Sequence, residues 1–85
     1  MFREKEKRWR RVCAEAAHLL AEERTRAGLS MSAVAERAGL SQQMVSYVER
    51  EIRNPTLMTL VRMADALEVN LADLIREAEK RAGTK

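Results

Sequence analysis

Between residues 29 and 50, apolar side chains recur three to four residues apart, which is the spacing of one face of an α-helix. These positions are Val34, Ala35, Ala38, Leu40, Val45 and Val48. Gly39 interrupts the pattern. Ser30 or Ser32 before the first run, and Ser41 before the second, can cap a helix because a serine oxygen accepts an otherwise unpaired backbone N–H. The stretch therefore predicts two short helices joined by a tight turn.

The sequence before this stretch predicts one longer helix. Its apolar positions are Trp9, Val12, Cys13, Ala16 and Leu20. Gly28 is suited to end it, because glycine adopts the left-handed conformation that commonly terminates a helix.

The sequence after this stretch predicts a loop and two further helices. The loop covers residues 51–55, because the residue before Pro55 is disfavoured from helical conformation. Thr56 then caps a helix whose apolar face is Leu57, Leu60, Val61, Ala64 and Leu67. Asn70 caps a last helix whose apolar face is Leu71, Leu74, Ile75 and Ala78.

Composition agrees with a single all-α domain spanning residues 1–85. Of the chain, 46% is apolar and 34% is charged, and one proline and three glycines leave little sequence for loops or a sheet. We therefore predict a compact five-helix bundle. It divides into a basic arm at residues 1–11 that extends the first helix, the paired short helices at 31–50, and C-terminal helices at 56–82.

The net charge of +3 does not by itself indicate a nucleic-acid partner, but its distribution is uneven. Residues 1–11 carry six Lys/Arg and two Glu, which gives +4. Residues 12–23 carry three Glu and no Lys or Arg, and residues 24–62 carry six Arg and three Glu, which gives −3 and +3. The positive charge is therefore concentrated on the arm and around the two short helices.

The outward face of the second short helix carries hydrogen-bonding side chains and no acid. These are Gln42, Gln43, Ser46, Tyr47 and Arg50. Such a surface is suited to nucleic acid, because a glutamine amide offers both a donor and an acceptor to the edge of a base.

These features together resemble the Cro and phage-repressor type of helix-turn-helix domain, also called the Xre family, over about residues 20–75. The resemblance rests on Gly-Leu-Ser at 28–30, Ala35, Gly39, Ser-Gln-Gln at 41–43, Val45, Val48, Glu49, Arg-Asn-Pro-Thr at 53–56 and Ala-Leu-Glu-Val-Asn at 66–70. It implies a lambda-repressor-like fold and a protein that binds double-stranded DNA with its second short helix in the major groove.

The resemblance also implies roles for individual residues. The expected base contacts are Ser41, Gln42, Gln43, Ser46 and Tyr47. The expected phosphate contacts are Ser30, Ser32, Arg50, Arg53 and Asn54. Arg24 and Glu49 resemble a buried ion pair that ties the first helix to the end of the recognition helix.

Two residues depart from the family pattern. Met31 stands where the family commonly has a glutamine that binds phosphate. Glu51 stands where a glycine usually ends the recognition helix, so a left-handed turn at this position would be strained by roughly 1 kcal/mol or more.

Several other classes of protein are not expected. Cys13 is the single cysteine, and His18 lies five residues from it, so the two do not converge on a metal. No paired acid and base or activated nucleophile indicates an enzyme, and no cofactor is predicted. No apolar run approaches the roughly 18 residues of a membrane span, and no signal peptide is recognisable, so a cytoplasmic protein is expected.

The leading hypothesis is a transcriptional regulator, a repressor or controller type, that binds a palindromic operator as a homodimer. The predicted dimer interface is Leu71, Leu74, Ile75 and Ala78. The alternative is an antitoxin or protein-interaction adaptor of the same fold, in which the arm and first helix bind a partner protein through Phe2, Trp9 and Val12. Trp9 is expected to pack inward or against a second subunit, and the arm's charges are either a solvated helix face or contacts to DNA.

Overall fold

The structure is a computed structural model that describes residues 2–83. These residues form five α-helices: α1 (Phe2–Arg26), α2 (Met31–Ala38), α3 (Gln42–Glu49), α4 (Leu57–Ala66) and α5 (Leu71–Ala82). The predicted all-α, five-helix architecture is confirmed.

Four helices begin at the polar residue expected from the sequence. Ser30, Ser41, Thr56 and Asn70 each place a side-chain oxygen 2.9–3.1 Å from the backbone nitrogen three residues later. Each oxygen accepts one of the N–H groups that have no partner inside the helix. Of the two serines considered for α2, Ser30 is the cap.

Four helices also share one C-terminal geometry, a residue in the left-handed region. These residues are Gly28, Gly39, Glu51 and Glu68, with φ between 57° and 71°. After each of them, the next N–H donates to the carbonyl five residues earlier at 2.9–3.1 Å, which is the Schellman pattern. The turn after α3 is therefore left-handed at Glu51, and a second glutamate occupies the same strained conformation after α4.

All five helices contribute to one core. Its most completely buried large side chains are Leu20, Val34, Val45, Val48 and Met63. They come from α1, α2, α3 and α4, so the two short helices are fixed from behind by apolar contacts. Burying a side chain of this size stabilises the fold by roughly 1.5–3 kcal/mol.

Two residues of the predicted dimer interface lie inside the protomer. Leu74 is 6% exposed and Ala78 is fully buried, because α5 lies along α1 and uses this stripe to close the core. The prediction is therefore wrong for Leu74 and Ala78 as surface residues. Leu71 and Ile75 are half-buried at the edge of the core.

The apolar face of α4 differs from the prediction in part: Ala64 and Leu67 are buried and Leu60 is half-buried, as predicted. Met63 and Ala66 are buried, whereas Leu57, Met58 and Val61 are exposed. This helix has apolar residues on more than one side, so its sequence alone does not determine which side is buried.

The N-terminal part of α1 extends past most of its neighbours. A helix of 25 residues is about 37 Å long, and the molecule's longest dimension is 41 Å. Trp9 is consequently 57% exposed and does not pack inward within the protomer.

Candidate nucleic-acid interface

The outward surface of α3 is polar because its two valines fix the rotation of the helix. Val45 and Val48 are buried against the core, which leaves Gln42 and Gln43 exposed and Ser46 and Tyr47 half-exposed. Arg50, which follows the last helical residue, is exposed next to them.

Two of these side chains already contact each other. The Gln43 amide nitrogen donates to the Tyr47 hydroxyl at 2.6 Å. The Arg53 guanidinium lies 5.5 Å from the centre of the Tyr47 ring, within range of a cation–π interaction. No hydrogen bond within residues 2–83 involves the amide of Gln42. Gln42 is thus free to bind, whereas Gln43 would first exchange its bond to Tyr47.

The residues expected at phosphates lie at both ends of this surface. Ser30 and Ser32 are exposed at the start of α2, where unpaired N–H groups favour an anion. Arg53 and Asn54 are exposed in the loop after α3. Met31 is half-buried and packs against the core, so its side chain is used for packing.

The ion pair expected between α1 and α3 is present. The Arg24 Nε and Nη2 atoms donate to the two carboxylate oxygens of Glu49 at 2.6 and 3.0 Å, and Nη1 donates to the Leu29 carbonyl at 2.9 Å. The side chain of Glu49 is 5% exposed and that of Arg24 is 18% exposed. The hydrogen bond to Glu49 raises the pKa of Arg24 above its usual value. The pair therefore fixes the end of α3 to α1.

A family model for helix-turn-helix proteins, HTH_3, matches residues 20–74, which includes α2 and α3. The chain belongs to this helix-turn-helix family. In a helix-turn-helix the second helix of the motif is the one that enters the major groove of DNA, and α3 has the second position in the motif here.

Two known proteins are similar to this helix-turn-helix chain. An uncharacterised HTH-type transcriptional regulator of Sinorhizobium fredii is 42% identical over 53 residues, which is 62% of this chain and 69% of that protein. The crystal structure of the restriction-modification controller protein C.AhdI from Aeromonas hydrophila superposes with a TM-score of 0.69 at 34% identity, over 73% of this chain and 94% of that one. The helix-turn-helix chain is accordingly a DNA-binding protein of the transcriptional-regulator type.

Sequence reasoning missed one residue that supports the turn of the helix-turn-helix. Arg62 of α4 donates from Nε to the Ala38 carbonyl at 2.9 Å and from Nη2 to the Gly39 carbonyl at 3.2 Å. A Cβ atom on Gly39 would lie 2.7 Å from Nη2 of Arg62. The feature of the sequence that could have indicated this contact is the position of Arg62, an arginine within an otherwise apolar turn of α4.

A second missed contact joins α1 to the turn after the recognition helix. The Nε2 atom of His18 lies 2.8 Å from a carboxylate oxygen of Glu51. Glu51, the strained residue in the turn after α3, is thus in contact with a side chain of α1.

Within residues 2–83, no three or more His, Cys, Asp or Glu side chains are grouped so as to hold a metal ion. No helix in this range is long and apolar enough to cross a membrane.

Proposed function

We propose that this chain binds a specific double-stranded DNA sequence as a homodimer and thereby regulates transcription. In this proposal the protein is cytoplasmic. The observation that carries the proposal is the polar, acid-free outer surface of α3. The helix is held in place behind this surface by the core and by the Arg24–Glu49 ion pair, here called the brace. In this proposal the base edges are read by Ser41, Gln42, Gln43, Ser46 and Tyr47.

Gln42 and Gln43 have different parts in this readout. A glutamine amide can bind the N6 and N7 atoms of adenine with two hydrogen bonds, and such a pair discriminates against a wrong base by roughly 1–3 kcal/mol. The amide of Gln42 is exposed and uncommitted. Gln43 gives up a hydrogen bond to Tyr47 when it binds, so part of its contact energy replaces an existing interaction.

The DNA backbone is held from both sides of α3 in this proposal. The hydroxyls of Ser30 and Ser32 donate to one phosphate group, and Arg50, Arg53 and Asn54 contact the backbone at the other end. Contacts of this kind fix the orientation of the protein without reading sequence.

Dimerisation is proposed because a single module of this size makes few base contacts and a two-fold arrangement doubles them. Leu71 and Ile75 remain candidates for the interface. Ile75 lines a groove together with Leu60 of α4, and the exposed Leu57 and Val61 lie within one turn of Leu60. In this proposal a second copy covers these side chains, and the resulting two-fold symmetry calls for a palindromic operator.

Selection from a random duplex library tests this proposal. The parent should enrich an inverted repeat with half-sites about one helical turn apart. The double variant Gln42→Ala, Gln43→Ala should lose that enrichment, whereas Lys80→Ala, an exposed change on α5, should retain it. The absence of any enriched sequence with the parent would overturn the proposal.

The exposed Trp9 supports a second candidate, in which the arm binds a partner protein, as in an antitoxin or an adaptor. The side chain of Phe2, named with Trp9 for this role, lies outside the described residues. A variant that lacks residues 1–11 distinguishes the two functions. Unchanged DNA affinity, salt dependence and dimerisation would favour a partner protein at the arm.

A further inference from the structure

Five of the six basic residues in the first three turns of α1 divide between two sides of the helix, and the sixth, Lys5, is exposed. Arg8 and Arg11 face α5, where Arg8 lies 3.8 Å from a carboxylate oxygen of Glu79 and Arg11 donates to the carbonyl of Ala82 at 3.4 Å. These two charges are used within the protomer.

Arg3, Lys7 and Arg10 lie on another side and are here called the basic stripe. They are four and three residues apart, so they share one face of the helix. All three are exposed. The same face continues toward the C-terminus with Ala14 and Ala17, which together with Arg10 line a cleft of about 330 Å³.

The opposite wall of this cleft connects the basic stripe to the proposed DNA surface. It includes Arg53 and Asn54 from the loop after α3. Arg53 in turn stacks on Tyr47 of the recognition helix. Arg53 therefore places a cation between the outer face of α3 and the arm of α1.

The acidic groups near the basic stripe are weakly engaged with it. Lys7 lies 4.0 Å from Glu4, and Arg10 lies 3.4 Å from Glu6, with all four side chains more than half exposed. Exposed pairs of this kind contribute little and are readily exchanged for another anion. The carboxylate of Glu51, which also lines the cleft, lies 2.8 Å from Nε2 of His18.

We propose that the basic stripe binds the DNA backbone next to the phosphates contacted by Arg53 and Asn54. The inference rests on the proposed function. From residue 3 to residue 10 the helix rises about 10 Å, which matches the axial rise of about three nucleotides of one strand. The stripe lies outside residues 20–74, the part that matches the family model, so this contact is an addition to the common domain.

Salt dependence of DNA binding tests the inference, because each phosphate contact contributes about 0.9 to the slope of log K against log salt concentration. The double variant Lys7→Gln, Arg10→Gln is compared with Arg76→Gln, Lys80→Gln, which removes the same charge from the exposed side of α5. Binding of a labelled 30-base-pair duplex of mixed sequence is followed by fluorescence anisotropy between 50 and 200 mM KCl.

The stripe variant should lower the magnitude of the slope by about 1.8 per bound protomer, and the control should leave it unchanged. Over this salt range the parent would then lose about tenfold more affinity per protomer than the stripe variant. Equal slopes in the parent and the stripe variant, or equal decreases in both variants, would overturn the inference. A parent that binds no duplex even at 50 mM KCl would instead refute the proposed function itself.

Discussion

Replacing Glu49 tests whether the ion pair with Arg24 holds the recognition helix in place. The Glu49 side chain is 5% exposed and accepts two hydrogen bonds from Arg24. Glu49→Ala removes both hydrogen bonds. Within residues 2–83, the Arg24 guanidinium then keeps its hydrogen bond to the Leu29 carbonyl. Glu49→Gln keeps the shape and one acceptor but removes the negative charge.

The expected cost follows from how completely the pair is enclosed. Breaking a buried ion pair costs about 3–5 kcal/mol, because a charge is left without its partner. Arg24 keeps some contact with water and its bond to Leu29, so we expect about 3 kcal/mol for Glu49→Ala and about 2 kcal/mol for Glu49→Gln. For a small domain that loses about 1 kcal/mol of stability per molar urea, the midpoint should fall by about 2–3 M.

A matched control is available on the surface of α1, the helix that carries Arg24. Glu22 also accepts two hydrogen bonds from an arginine of another helix, Arg81 on α5, at 2.9 and 3.4 Å. That pair is exposed to water, so Glu22→Gln should leave the urea midpoint close to the parent's. Equal shifts for Glu22→Gln and Glu49→Gln would refute the reasoning that burial makes the Arg24–Glu49 pair a brace.

Three further outcomes are expected from the geometry. Glu68→Gly should stabilise the domain by about 0.5–1 kcal/mol in urea unfolding, because relief of about 1–2 kcal/mol of left-handed strain exceeds the added entropy of the unfolded chain. Glu51→Gly should stabilise it by less, since this change also removes the carboxylate that contacts Nε2 of His18, and a lower midpoint for Glu68→Gly would contradict the reasoning. Gly39→Ala should destabilise it by about 1–2 kcal/mol, since the new residue is strained at φ 69° and its Cβ displaces Arg62; an unchanged midpoint would show that the turn relaxes. The hydrogen bond to Arg81 lowers the pKa of Glu22 below its usual value, so the small stabilising effect of this exposed pair is present above the usual value and is lost as the pH falls through the folded-state pKa. The stability curves of the parent and Glu22→Gln should therefore lie close together at neutral pH and coincide in acid, and a gap that widens as the pH falls would contradict this.

The beginnings of the helices were predictable because their signals are local. Ser41 or Thr56 directly before a helix satisfies an N–H group three residues later, so no distant part of the chain is involved. The left-handed conformation of Glu51 was suggested only by the family pattern, in which a glycine usually stands at this position. Glu68 carries no signal of its own, because a glutamate is equally compatible with an ordinary helical turn.

The use of each apolar face was less predictable, since periodicity shows that a face is buried and not what buries it. Leu74 and Ala78 form a regular stripe that α1 or a second subunit could equally cover, and α1 covers it. In α4, apolar residues occur all around the helix, so only tertiary packing decides that Met63 is buried and Leu57 is exposed. For the same reason the contact of Arg62 with the helix-turn-helix turn could not be predicted.

The recognition helix depends on residues that do not face DNA in the proposed complex. A helix of eight residues is too short to be stable alone, so the orientation of α3 is set by the Ser41 cap, the buried Val45 and Val48 and the Glu49 brace. Weakening the brace should therefore lower DNA affinity through a misplaced α3, while the number of phosphates contacted stays the same. The salt slope would then remain that of the parent for Glu49→Gln, in contrast to the variant that removes Lys7 and Arg10. Affinity and salt slope measured together thus separate loss of orientation from loss of backbone contact.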